Sequence, residues 1–164
     1  MIRVRLAEPR DVPSLPDIEL AAAQAFLDTP QAWCAEGEVM PAEDYYPLLE
    51  DDAVWVAEDD GALAGFVVTE MEDDFLHVWE LAVDVDHQRK GAGRALLAAA
   101  AEGAREAGCR YLTLTTFTNV AFNAPYYQSL GWRIDRAPNP WVADILANET
   151  EQGFTDRCAM RLDL

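Results

Sequence analysis

The sequence predicts an α+β chain built on one central, mostly antiparallel sheet flanked by helices. Three observations carry this. Apolar residues alternate with period two in three successive runs over residues 53–84, an alanine-rich segment of helical period follows over 91–107, and shorter strand-like runs close the chain after it. With 164 residues, 51% of them apolar and 26% charged, the chain suits one domain over 1–164 with a sizeable core.

Ile2, Val4 and Leu6 alternate with Arg3 and Arg5 as a half-buried strand that Pro9 closes. A helix is expected next, with Asp11 capping its first amides, Pro13 in the first turn, and Leu15, Ile18, Ala22 and Ala25 facing inward. Residues 28–40 have no clear period and read as a loop holding one helical turn, and Pro41 opens a short helix through Leu49. Ala53 to Glu58 and Leu63 to Glu70 form a hairpin around Asp59-Asp60-Gly61. Phe75 to Asp84 is a third strand, with Trp79, Leu81 and Val83 in alternation. The helix from Gly91 to Ala107 carries Leu96, Ala99, Ala100, Gly103 and Ala107 on one stripe, and Gly108 is placed to end it. Small residues on that stripe imply close packing on a sheet. Tyr111 to Phe117 is a strand, Phe122 to Leu130 a short helix ended by Gly131, and Trp132 and Ile134 begin another strand. Trp141, Ile145 and Leu146 mark an amphipathic helix to about Gln152, and Cys158 to Leu164 alternates as a closing strand.

Composition narrows the function. Acidic residues outnumber basic ones 30 to 12, a formal net charge of −18 at pH 7 that repels phosphate backbones and anionic lipid surfaces and draws in cations such as amines. Nucleic acid is not an expected partner, nor is a membrane: the longest apolar run, Ala95 to Ala101, is far short of the roughly 20 residues that cross a bilayer. The first ten residues lack the apolar stretch of a signal peptide. Cys34, Cys109 and Cys158 are odd in number and form no CxxC pair, so neither a disulfide framework nor a metal site is expected. A reducing cytoplasm is the expected location.

One loop stands out. Gln88-Arg89-Lys90-Gly91-Ala92-Gly93-Arg94 joins the third meander strand to the alanine-rich helix. The first turn of a helix offers unpaired N–H groups and the positive end of the dipole, and glycines let a diphosphate approach that backbone. Arg89, Arg94 and Lys90, the only lysine in the chain, make the neighbourhood anion-seeking within an acidic protein. The pattern is neither a Walker loop nor the dinucleotide GxGxxG.

The ordered combination of Leu81-Ala82-Val83, Gln88-x-x-Gly91-x-Gly93, a helix, a strand, and Asn123-Ala124-Pro125-Tyr126-Tyr127-Gln128-Ser129-Leu130-Gly131-Trp132 resembles the GNAT superfamily of acetyl-CoA-dependent N-acetyltransferases. The resemblance implies the acyl-CoA N-acyltransferase fold, in which the fourth and fifth strands splay apart to admit the pantetheine arm of acetyl-CoA, the co-substrate. It implies that main chain of Leu81, Ala82 and Val83 bonds that arm. Amides from Arg89 to Arg94 would take the pyrophosphate, with Gln88 opening the loop; Asn123 would bond pantetheine, and Tyr127 would stand beside the thioester sulfur. Trp132 replaces the phenylalanine of many members, and residues 136–156 form a longer insertion than in the simplest ones. A homodimer is suggested by family habit alone.

Acyl transfer to an amine needs a deprotonated nucleophile, stabilisation of the developing oxyanion, and a proton for the departing thiolate. Backbone N–H at Val83 or its neighbours suits the second role and the Tyr127 phenol the third. For the base there are two candidates, Glu80 and His77; strict alternation puts them on opposite faces unless a bulge intervenes, and Glu80 is favoured. Trp33, Glu36, Glu38, Asp44, Tyr45 and Tyr46 gather where the resemblance places acceptor recognition, and such groups suit a cationic amine. The expected activity is transfer of acetyl from acetyl-CoA to a primary amine of a small molecule, peptide or protein. The alternative is a non-catalytic acyl-CoA-binding sensor.

Overall fold

The computed structural model describes residues 1–164. Seven strands form one sheet: β1 (Ile2–Leu6), β2 (Val54–Asp59), β3 (Ala62–Met71), β4 (Phe75–Val83), β5 (Tyr111–Phe117), β6 (Arg133–Asp135) and β7 (Arg157–Asp163). Their order is β1-β2-β3-β4-β5-β7-β6, antiparallel throughout except for the parallel pair β4 and β5. The helices are α1 (Leu15–Ala23), α2 (Tyr46–Glu50), α3 (Ala92–Glu106), α4 (Ala124–Ser129) and α5 (Pro140–Glu151). The expected α+β architecture is present, and strand bounds fall within about one residue of those read from alternation because each strand has one face in the core.

The hairpin of β2 and β3 turns at Asp60 and Gly61, whose φ values of 50° and 89° are those of a type I′ turn that matches strand twist. On one face of the sheet α3 packs through Ala92, Leu96, Leu97, Ala100, Ala101 and Ala104, a stripe rotated from the expected one. Gly103 lies at the edge of that stripe, where a Cβ would stand 3.1 Å from the Trp55 ring, so its smallness is required after all. On the other face, Val12, Leu15, Ile18 and Tyr45 cover Val54, Val56, Phe66, Val68 and Ala82, while Val142 of α5 packs with Phe75 and Ala159. Asp11 does not cap α1. It forms a two-point ion pair with Arg5, at 2.7 and 2.9 Å, and accepts the Glu8 N–H at 2.8 Å, so the chain enters α1 through a 3-10 turn, Pro9–Ser14.

Two departures from regularity position the site. β4 and β5 pair only from Phe75 opposite Tyr111 to His77 opposite Thr113, and beyond that point the strands diverge. The outer edge of β4 from Val78 to Val83 is therefore left without ladder partners on that side. Secondly, the β3–β4 register slips between Val68 opposite Glu80 and Thr69 opposite Val78, which makes Trp79 an extra residue in β4. The expected alternation of Trp79 with Leu81 and Val83 is thereby overturned: Leu81 and Val83 pack against the α3 face, while Trp79 stacks with His77 and Trp141 on the other.

Candidate active site

A cleft of about 1020 Å³ runs through the divergence of β4 and β5. At one end lie Gln88, Arg89, Gly91, Ala92, Gly93 and Arg94; Leu81, Val83, Asn123, Tyr126 and Tyr127 line its middle; and Glu80 stands where it crosses to the α1 face.

The loop end is built by its backbone. Gly91 adopts φ 90°, the left-handed conformation that glycine takes without strain, and sits at the N-cap of α3. Ala95 N–H donates to Gly91 O at 3.0 Å, so the amides of residues 91–94 precede the helical ladder and have no intrahelical acceptor. A Cβ on Gly93 would stand 2.9 Å from the Tyr126 hydroxyl oxygen, so a side chain there requires that hydroxyl to shift. Arg89 also has positive φ, 64°, an uncommon state for a residue with a side chain. Free amides at a helix N-terminus, flanked by Arg89 and Arg94 and opening on a long cleft, fit a diphosphate with an extended arm. Lys90 differs from expectation: its Nζ bonds Asp59 at 3.0 Å and it does not line the cleft. His87 Nδ1 meets the same carboxylate at 3.1 Å, so Asp59 ties the loop down from the β2–β3 hairpin. Gln88 Nε2 donates to Val83 O at 3.3 Å and ties the start of the loop back to β4.

In the middle, Ala82 points its side chain into the core on the α1 face and sits opposite Phe66 of β3. Asn123 precedes α4, is half-buried, and makes no side-chain hydrogen bond within the protein. Tyr127 is 8% exposed, its ring between Tyr126 at 5.6 Å and Trp132 at 5.8 Å. Burial and then the Glu80 charge push its phenol well above the ordinary value, so it stays protonated at neutral pH.

The bulge at Trp79 supplies the condition under which His77 and Glu80 share a face, yet the two groups differ completely. His77 is 1% exposed, bonds Thr113 Oγ1 at 2.7 Å, and is boxed by Trp79 and Trp141 at 4.6 and 5.0 Å. Burial lowers it to about 4, and it does not reach the cleft. That geometry removes the reason for reading it as a base. Glu80 opens on the cleft, and burial, then Glu19, raise its carboxyl to about 8 against a smaller opposing effect of Arg157.

The acetyltransferase (GNAT) family model matches residues 20–132. The chain belongs to that family. It is an acyltransferase of the acetyl-CoA-dependent kind. Among curated proteins this acetyltransferase is 30% identical over 120 residues to the protein YxbD of Bacillus subtilis, covering 73% of this chain and 70% of that one. It is 35% identical over 72 residues to the ribosomal protein bS18-alanine N-acetyltransferase of Escherichia coli, covering 44% of this chain and 49%, about half, of that enzyme. Among solved structures, the PaiA N-acetyltransferase of Thermoplasma acidophilum in complex with coenzyme A superposes with a TM-score of 0.76 over 100% of this chain and 99% of that one; at 14% identity the likeness is one of fold.

Of the residues expected at the acceptor end of this acetyltransferase, Trp33 and Glu38 line the cleft. Tyr45 is 1% exposed, its hydroxyl 3.4 Å from Glu19, in a second hollow of about 890 Å³ that shares Glu19, Trp79 and Glu80 with the cleft. Glu36, Asp44 and Tyr46 line neither. Phe26, Phe117, Phe122, Phe154, Glu19 and Arg157 do line the cleft and had no motif to announce them, because they come from separate segments. In the sequence Phe117 and Phe122 read only as residues of their strand and helix.

Proposed function

We propose that this acetyltransferase moves the acetyl group of acetyl-CoA to a primary amine, with Glu80 as general base and Tyr127 as general acid. The observation that carries the reading is the divergence of β4 and β5 after His77, which puts the anion-seeking loop, the unpaired edge of β4, Glu80 and Tyr127 on one continuous cleft. The residues fit the donor: amides of Arg89 to Arg94 hold the pyrophosphate with the Arg89 and Arg94 side chains, Asn123 and main chain of Leu81, Ala82 and Val83 hold the arm, and the bound donor supplies an activated acyl thioester.

The rest is done by this chain. An amine enters as its ammonium, and the ionised form of a carboxyl raised to about 8, which gains population as pH rises toward that value, is basic enough to take a proton from it, directly or through one water. The freed nitrogen attacks the carbonyl carbon as the C–S bond breaks. N–H groups on the unpaired edge near Val83 face the oxygen that gains charge, without competition from a neighbouring strand. Tyr127, protonated and buried, gives its proton to the departing sulfur, and the second proton that the nitrogen sheds as the amide forms returns to the Tyr127 oxygen through water, while Glu80 releases the first to solvent. Thiol release from acetyl-CoA in the presence of an amine panel tests this: Tyr127→Phe is expected to lose at least about tenfold in kcat with CoA affinity retained. Full activity in that variant removes Tyr127 from the mechanism, and absence of turnover with every amine removes the catalytic reading.

A further inference from the structure

Beyond Glu80 the cleft is walled by five aromatic rings from separate segments: Phe26 after α1, Trp33 in the 3-10 turn Ala32–Glu36, Phe117 at the end of β5, Phe122 before α4, and Phe154 before β7. They touch in a chain, with centroids 4.9 Å apart for Phe26 and Phe122, 6.0 Å for Phe26 and Phe117, 6.3 Å for Trp33 and Phe117, and 5.2 Å for Trp33 and Phe154. A closed core would bury such rings. Here Trp33 remains 48% and Phe122 38% exposed, so apolar surface faces the cavity. The wall is also braced. Trp33 Nε1 donates to Gln31 Oε1 at 2.8 Å, and Gln31, only 3% exposed, reaches Asn119 and Thr155 at 3.4 and 3.5 Å.

Charge at this end is arranged asymmetrically. Glu19, Glu38 and Glu80 supply the acidic side. The one cation among the rings, Arg157, lies over Phe117 at 4.5 Å and is held by Glu149 at 2.7 Å and Thr115 at 3.1 Å, so it is already paired and does not call for a substrate carboxylate. From the aromatic wall and the acidic edge together we infer that the acceptor is a primary amine with a single ammonium and an uncharged aromatic or branched aliphatic body, the ammonium at Glu80 and Glu19 and the body among Trp33, Phe117, Phe122 and Phe154. A second ammonium, as in a polyamine, would lose its hydration beside Arg157, and a peptide backbone would leave amides and carbonyls without partners along the rings. This inference rests on the acetyl-transfer reading for turnover but not for binding.

The test compares 2-phenylethylamine, isoamylamine, spermidine and a peptide with a free N-terminal alanine, both as acetyl acceptors and by calorimetric titration into the CoA-loaded protein. The expected result is that 2-phenylethylamine exceeds spermidine and the peptide in kcat/KM by about a hundredfold, and that Trp33→Ala and Phe154→Ala each raise its KM about tenfold with CoA affinity unchanged. Trp33 is nearly half exposed, so its variant folds even where Phe154→Ala does not. Equal or better use of spermidine or the peptide, or a preference undiminished in Trp33→Ala, overturns the inference. If the protein binds CoA but acetylates nothing, the catalytic reading fails and titration decides: 2-phenylethylamine binding that Trp33→Ala weakens about tenfold supports the aromatic acceptor site, and no binding, or binding that Trp33→Ala leaves unchanged, overturns it.

Discussion

As the proposed base, Glu80 exchanges stability for chemistry. Its carboxyl is raised in the folded state from an ordinary value near 4.5 to about 8, so the folded protein binds the proton more tightly than the unfolded chain. Stability is therefore lost as pH rises from about 4.5 to about 8, the window over which the unfolded carboxyl has ionised and the folded one has not. Glu80→Gln is expected to raise Tm at pH 8 relative to wild type and to leave it nearly unchanged at pH 4, with scanning calorimetry at both as the measurement. The same variant should lose about a hundredfold or more in kcat, together with the rise of kcat/KM toward a plateau above about pH 8. A wild-type pH profile in Glu80→Gln would pass the base role to water. His77 gives the contrasting case. Removing its ring in His77→Gln disturbs a buried bond to Thr113 and two aromatic contacts, and should destabilise by about 1–3 kcal/mol while the pH–rate profile keeps its shape.

At the scale of elements, the turn from β4 into α3 was legible because its chemistry is written in local letters: glycines where the backbone turns or is approached, arginines beside free amides. Gly91→Ala places a Cβ in a left-handed conformation and should cost about 1 kcal/mol in stability, measurable by denaturant titration, and weaken CoA binding by moving the amides. Arg89→Glu should weaken CoA binding further at low salt than at high salt, since it puts negative charge beside phosphate. Where the Lys90 ammonium goes is something spacing cannot reveal: Asp59, from the β2–β3 hairpin, takes its charge. The bulge was equally hidden. Trp79, Leu81 and Val83 alternate perfectly on paper, and only pairing with β3 reveals that Trp79 is inserted. Apart from Trp33, the aromatic wall was invisible for the same physical cause, since residues 26, 117, 122 and 154 converge on it through tertiary packing and not through any period.

For the whole molecule, the order of elements along the chain and the central sheet flanked by helices followed from alternation and helical period, whereas the seating of β7 between β5 and β6 did not, and the site's polarity depended on a balance of long-range charges. A net charge of −18 makes the surroundings attractive to a cationic acceptor. The second-order rate constant for a singly charged amine should fall several-fold, perceptibly in kcat/KM, as ionic strength rises past the point where the Debye length drops below about 8 Å. The donor is an anion and needs a local exception, which in the proposed reading Arg89, Arg94 and the α3 amides provide. All of this depends on the donor lying in the divergence of β4 and β5 with its diphosphate on the start of α3. A crystal structure of the protein with CoA tests that directly: the account predicts phosphate oxygens on the amides of residues 91–94 and the pantetheine arm along Leu81 to Val83 toward Tyr127, and CoA bound elsewhere with the strands closed over an unfilled cleft would contradict it.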